Sequence, residues 1–254
     1  MRLTVIGWSG SYPGPESPAS SYLLEHEHEG RTWRLLLDLG SGALGVLHRY
    51  VDPVLIDGVV LSHLHADHCL DLCGFYVLRK YHPTGTQPQI PVWGPAGTAV
   101  RMAKAYDLDE DPGMNEEFDF RTHVADDLHF GPFTIRAFHV AHPVTAYSVR
   151  ISAGGKTLAY SGDTGVCDGV HEAAQDADLF LCEASFRDGV SNPPDLHLTG
   201  GEAAKIARKS NAARLVLTHI PPWYDPQDVL QDAVKLGGFK GPIDLAECGA
   251  TYEI

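Results

Sequence analysis

Positive charge is scarce in this 254-residue sequence: 19 lysines and arginines stand against 33 aspartates and glutamates, a formal net charge of −14. Gripping a long nucleic acid requires a basic footprint, because phosphate neutralisation dominates that binding. The overall field here repels polyanions and favours a small substrate over a polymer. Long apolar runs are missing too. No stretch approaches the roughly 18–20 apolar residues that cross a bilayer, so no membrane association is expected. The opening "MRLTVIGWSG" enters a strand-like pattern without the apolar core or cleavage site of a secretory leader. A cytoplasmic location is the expectation. Cysteine is sparse and unpatterned: Cys69, Cys73, Cys167, Cys182 and Cys248 fit no disulfide framework or zinc finger, and reduced thiols are expected. Low-complexity tracts and long linkers are absent, and an apolar fraction of 44% fits one globular domain over 1–254 with a sizeable core.

What is present is a rhythm of short apolar segments punctuated by glycine and proline. "RLTVIG" and "SYLLEHE" predict strands around the loop "GWSGSYPGPESPAS". "TWRLLLDLG" predicts a buried strand, and "SGALGVLHRYV" a helix. "LIDGVVLS" predicts another buried strand running into His63, after which "CLDLCGFYVLRKY" has helical spacing. "IPVWGP" and "AGTAVRMAKAY" repeat strand then helix. The acidic, irregular segment 107–120 is expected to be a surface loop. Strand alternation returns in "FTIRAFHVAH", "AYSVRISA" and "KTLAYSGD", the last two joined by an "AGGK" hairpin turn. "DADLFLCEA" and "RLVLTHI" are further strands, with "TGGEAAKIARKS" helical between them. This layout suggests sheets with helices packed outside.

"SHLHADHCLDL", residues 62–72, gathers His63, His65, Asp67 and His68. Residues i and i+2 of an extended chain face one side, so His63 and His65 can hold one ion together. Asp67 and His68 follow as the chain turns into a helix whose N-terminus favours phosphate. Zinc takes imidazole nitrogen and carboxylate oxygen in about four positions. A pair of ions needs more donors than this motif supplies. His142, Asp163 and His219 are the candidates, each at the end of a predicted strand. The expectation is two divalent ions, one held by His63, His65, His142 and Asp163, the other by Asp67, His68, Asp163 and His219. Zinc is preferred, and manganese or iron suits the same donors. His139 competes with His142, but its odd offset turns it to the opposite strand face. His26, His28, His48, His82, His123, His129 and His171 are read as surface or packing residues.

The series H-x-H-x-D-H, a later His, a strand-terminal S-G-D-T and a late T-H resembles the metallo-β-lactamase superfamily over nearly the whole chain. That resemblance implies an αββα sandwich, an α/β fold of two mixed β-sheets face to face with helices on both outer faces, built from two similar halves. It includes "LLLDLGSG", where Asp38 and Gly40 would help order the site. "LFLCEASF" followed by "HLTGGEAA", and the early "GWSGSYPGPESPASSYLL", are similar to ribonuclease Z and its relatives. The likeness implies that His197 touches the scissile phosphate and protonates the leaving oxygen, with Glu183 orienting it. Chemistry alone asks for such an acid, since an alkoxide leaves poorly. The competing view makes His197 a helix-entry residue beside the capping-box pair Thr199 and Glu202, and Glu183 a partner for buried backbone.

One departure bears on substrate. Long-armed ribonuclease Z enzymes insert a tRNA-holding segment between the third-His segment and the bridging Asp, whereas only 20 residues separate His142 from Asp163 here. The chain instead resembles actinobacterial ribonuclease-Z-like hydrolases, some of them atypical class II cyclic nucleotide phosphodiesterases. Ala66 stands where the usual class II pattern has leucine. The expected function is therefore a dinuclear metal phosphodiesterase acting on a small phosphodiester, a cyclic nucleotide by preference. Asp67 would orient the nucleophile, and His197 would donate a proton. The runner-up is an RNA-processing nuclease, with Arg79, Lys80 and His82 as a local basic strip. Thioester or lactone hydrolysis comes third, weakened by "HLTGGEAA". A metal-loaded scaffold without turnover would show degraded ligands, and none of the seven is degraded. A homodimer is the expected assembly. Trp223 and Tyr224 can wall the pocket, stack on a base or form a dimer contact, with plain packing preferred.

Overall fold

The N-terminal apolar alternation becomes β1 (Arg2–Gly7) in a computed structural model that describes residues 1–254. Strands β2 (Ser21–His28) and β3 (Arg31–Leu37), helix α1 (Ala43–Leu47) and strand β4 (Gly58–Val60) follow. Helices α2 (Ala66–Cys69) and α3 (Leu72–Tyr81) lead to β5 (Ile90–Gly94), α4 (Thr98–Ala105) and β6 (Phe118–Thr122). An antiparallel run comprises β7 (Leu128–Phe130), β8 (Phe133–His139), β9 (Tyr147–Ala153) and β10 (Lys156–Tyr160). The chain then alternates through α5 (Asp168–Ala174), β11 (Leu179–Glu183), α6 (Gly200–Lys209), β12 (Leu215–Thr218), α7 (Pro226–Leu236), β13 (Ile243–Leu245) and β14 (Thr251–Glu253).

These strands form two mixed seven-stranded sheets, ordered β14-β1-β2-β3-β4-β5-β6 and β13-β12-β11-β10-β9-β8-β7. Each has an antiparallel portion continued by parallel strands whose crossovers carry helices. Successive strand residues point to opposite faces, and "LLL" uses both. Leu35 and Leu37 enter the core between the sheets with Leu158, Leu181 and Val216, while Leu36 meets the helices outside with Phe75 and Met102. The second sheet is covered likewise by Ala203, Ile206 and Val229 over Phe180 and Leu217. The architecture is the expected αββα sandwich, two mixed sheets face to face with helices on both outer faces. No helix is long and apolar enough to cross a membrane.

Several local expectations are corrected. The helix after Gly42 stops at Leu47, because Arg49 and Tyr50 turn back on carbonyls three residues earlier. The helix after His68 breaks at Leu70–Asp71, where the Asp71 N–H bonds Leu39 and its carboxylate accepts from the Leu44 N–H at 2.9 Å. The acidic segment 107–120 is no simple surface loop: Met114, Glu117 and Phe118 are buried, and residues from Phe118 onward pair with β5. Strand β8 ends at His139, so His142 lies in the following loop beside Pro143, which has no N–H to extend a ladder. No free basic strip exists at Arg79 and Lys80. Arg79 is buried over Phe75 and donates to the Pro88 carbonyl, and Lys80 pairs with Glu116 and Glu117 at 3.3 and 3.5 Å. The "AGGK" turn forms as read, with Gly154 and Gly155 at φ 59° and 75°.

Candidate metal centre

Donor residues collect where strands of both sheets end. Asp38 follows β3, and His63 lies just beyond β4. Asp163 follows β10, Glu183 closes β11, and His219 follows β12. Two groups result, each with its donor atoms within 4.8 Å of one another. In the first, His63 Nε2 is 3.0 Å from His65 Nδ1 and 3.6 Å from Asp163 Oδ2, and His65 Nδ1 is 3.3 Å from His142 Nε2. In the second, His68 Nε2 lies 3.1 Å from His219 Nε2 and 3.2 Å from Asp163 Oδ1. Asp67 Oδ2 lies 3.2 Å from His219 Nε2. All seven expected donors are thus brought together, with Asp163 shared. His139 stands apart and exposed.

The outward hydrogen bonds decide which nitrogens face inward. A carbonyl or carboxylate oxygen only accepts. His142 Nδ1 therefore carries hydrogen toward the Leu196 carbonyl at 2.9 Å, and His68 Nδ1 toward Asp38 at 2.8 Å. Ser62 Oγ donates to Asp38 at 2.8 Å and so accepts from His63 Nδ1 at 3.1 Å. Ser185 Oγ has only acceptors in Glu183 and the His219 carbonyl, so it accepts from His219 Nδ1 at 2.8 Å. Lone pairs on Nε2 of these four rings, and on Nδ1 of His65, then converge with carboxylate oxygens. Asp163 Oδ1 is buried without a hydrogen-bond partner. Convergent lone pairs and an orphaned buried carboxylate oxygen fit a cation. The cluster is that of a divalent metal site.

Charge agrees with this reading. Burial pushes the His63, His65 and His142 rings below the ordinary histidine range, which keeps them neutral and able to ligate. Burial also acts to lower His68, but Asp163 and Asp38 outweigh it and hold the ring well above that range. Burial would raise Asp67, yet His219 and His68 keep it far below ordinary carboxylates. A cation held by these carboxylates would compete with the His68 proton.

His197 and Glu183 flank the cluster. Glu183 is fully buried; its Oε1 accepts from the Thr164 N–H at 2.7 Å and His197 Nδ1 at 3.0 Å. Orienting the histidine and satisfying buried backbone are therefore one arrangement. Burial works against the His197 imidazolium, but Glu183 prevails and the group is pushed up to about 9. The helix is capped without it: Thr199 Oγ1 accepts from the Glu202 N–H, and Glu202 accepts from the Thr199 N–H.

Sequence reasoning did not single out Ser62, Tyr160, Ser185 or the Leu196 carbonyl. The available signal is a hydroxyl at an apolar strand end, within three residues of a site residue. Asp38 accepts from the Ser62 N–H, Ser62 Oγ, His68 and the Tyr160 hydroxyl at 2.7–2.8 Å. Gly40 serves the same wall, since a Cβ there would stand 2.0 Å from the Asp67 carbonyl oxygen. A cavity of about 210 Å³ opens over the cluster, bounded also by Ser11, Leu196 and His197. A larger groove of about 570 Å³, outside β8 and β9, shares no residue with it and lacks the convergent donors.

Residues 34–220 match the Beta-lactamase superfamily domain. The whole chain is similar to an uncharacterized protein of Mycobacterium tuberculosis, at 44% identity and covering 92% of that protein. The probable metallo-hydrolase YhfI of Bacillus subtilis is 30% identical, with all of both chains covered. The crystal structure of YhfI superposes with a TM-score of 0.86 at 27% identity, covering 100% of this chain and 99% of that one. A ribonuclease Z of Myxococcus xanthus is 27% identical over 311 aligned positions, spanning this whole chain and 98% of that one. That alignment is longer than the 254 residues here, so the relative carries segments this chain lacks.

Proposed function

This chain belongs to the beta-lactamase superfamily as a metallo-hydrolase, and from that premise we propose that it hydrolyses a small phosphodiester, a cyclic nucleotide before any other. His63, His65, His142 and Asp163 would hold one divalent ion, and Asp67, His68, Asp163 and His219 a second, zinc by preference. Such ions, when bound, lower the pKa of water and neutralise phosphate oxygens. The chain supplies the rest. Asp67 borders the cavity and can accept a hydrogen bond that aims the attacking water.

The observation that carries the reading is the His197–Glu183 pair. Its 3.0 Å contact occupies Nδ1 and leaves Nε2 of a cavity-lining ring free to donate. Glu183 favours the protonated ring, so His197 can give its proton to the departing ribose oxygen. A thiolate leaves without such help, which favours an alkoxide-releasing reaction over thioester hydrolysis. Small size of substrate is supported by the connection from His142 to Asp163, of whose 20 residues β9, its turn and β10 use 14 and leave no room for a long arm, and by the net charge of −14. Likeness to a ribonuclease Z supports RNA processing as the second reading.

The test is to assay zinc- or manganese-loaded protein on cyclic nucleotides, an aryl phosphodiester, precursor tRNA and a thioester. Turnover of cyclic nucleotide and aryl diester is expected. Cleavage of precursor tRNA alone would select the second reading, and turnover of the thioester alone would remove the phosphodiesterase. His197→Ala should cost about 10²–10⁴ with a poor leaving group and far less with nitrophenolate. Equal losses on both would contradict the acid role.

A further inference from the structure

We propose that Tyr12 and Trp223 form a platform on which the substrate's nucleobase stacks. This inference rests on the phosphodiester reading above and adds a subsite outside the metal centre. Trp223 is 58% exposed and Tyr12 43%, although the two rings hold each other at 5.4 Å between centroids and 39° between planes. Burial of the indole in the core is therefore excluded as the reason for this tryptophan. Its neighbour Tyr224 does turn inward, against the core over the second sheet. Neither ring bounds the cavity itself, but Tyr12 adjoins cavity-lining Ser11 and Trp223 follows His219 by four residues, and an aromatic body left in water there is suited to a π-face that arrives with the ligand.

The pair is fastened to the centre from both sides. Trp223 follows His219 by four residues. Tyr12 follows Ser11, whose N–H points at His219 Nε2 from 3.4 Å and whose side lines the cavity. The Gly10 N–H donates to the Ile220 carbonyl (3.2 Å) and ties the two loops together, while the Tyr12 N–H folds back on the Gly10 carbonyl (2.7 Å) within its own loop. The platform is thus built before substrate arrives.

Size gives a second, independent argument. The cavity over the donors holds about 210 Å³, below the roughly 300–1,000 Å³ that encloses a drug-sized ligand. A phosphate and its sugar can enter, and the base must extend over the rim. Stacking tolerates any base because every base has a π-face. The platform therefore predicts acceptance of both adenine and guanine cyclic nucleotides.

The test uses the metal-loaded enzyme with cyclic AMP and with the 3′,5′-cyclic phosphate of 1-O-methylribose, which has no base. In wild type the base-free ester should show the higher KM. Trp223→Ala and Tyr12→Ala should each raise KM for cyclic AMP about five- to hundredfold, with kcat little changed. KM for the base-free ester should not move, and Trp223→Phe should recover most of the loss. Equal KM for both esters in wild type, or identical shifts for both in the variants, would overturn the platform while leaving the phosphodiesterase standing. No turnover of either ester would remove the underlying reading instead. Size-exclusion chromatography adds a further check: dissociation of a dimer by Trp223→Ala without a KM change would assign these rings to a subunit contact.

Discussion

The donor group of Asp67, His68, Asp163 and His219 is braced from behind, whereas in the other group only His63 is buried and braced, through Ser62, and His65 and His142 open toward solvent. Behind His68 stands Asp38, which also accepts from Ser62 and Tyr160, and behind His219 stands Ser185, which donates to Glu183; all three braces are buried. His65 and His142 are only half-buried, and the outward anchor of His142 is one carbonyl on a largely exposed loop. Outer partners fix ring orientation and raise ligand basicity, and losing one costs about 10–100-fold in metal affinity. If each group holds an ion, the braced half should hold it the more firmly and the open half should exchange it the faster.

The largest effect should come from the residue both groups share. Asp163→Asn should lower kcat/KM on the order of a thousandfold or more, because several kcal/mol of charge stabilisation are lost at both positions. Elemental analysis alongside kinetics should show metal missing from both, and loss of only one ion would deny the sharing. Next is the brace. Asp38→Ala strands His68, Ser62 and the Tyr160 hydroxyl in the core, with an expected cost of about 3–5 kcal/mol in denaturant unfolding. His65→Ala in the open group should cost far less stability. Comparable losses for the two would erase the contrast.

A smaller, pH-resolved effect is expected at Glu183. His197 is raised by Glu183, so its acid form persists below a pKa pushed up to about 9 and disappears as pH rises through that value. Its contribution to stability is likewise full below the unfolded histidine value near 6.5 and lost as pH climbs through the folded one. Glu183→Gln should move the falling limb of kcat to lower pH, with roughly tenfold loss at neutral pH. An unmoved limb would separate Glu183 from the acid. The least effect on turnover belongs to Lys80→Ala, which should change kcat/KM for no substrate; its cost falls on stability alone, because Glu117 is buried and loses its cation.

The legible part of the molecule was the part written in local periodicity. His63 and His65 share a side because i and i+2 do so in extended chain, and "LLL" announced a strand buried on both faces. Asp163, Glu183 and His219 were readable as polar residues closing apolar runs. What local pattern does not carry is the direction a side chain takes once helices pack. Arg79 beside Lys80 looks like surface charge, yet α3 turns it onto the face that holds Leu72, Phe75 and Tyr76. Ser62 and Ser185 are ordinary serines in sequence; their importance comes from rings reached only after the sheets meet. Trp223 after Pro221 and Pro222 gives no local hint that it faces water. The reading of His142 as a strand end failed for a related reason: the strand stops where the Val140 N–H closes a loop onto Ala146.

Two cations held to unequal depth should separate in a chelator titration. Metal content per chain and turnover of cyclic AMP would be followed together as chelator rises, in wild type and in His65→Ala. Two ions per chain in active wild type, leaving in two steps with activity lost in the first, is the predicted result. His65→Ala should show only the second step. Full activity with well below two ions per chain, or both ions leaving in one step, would contradict the account.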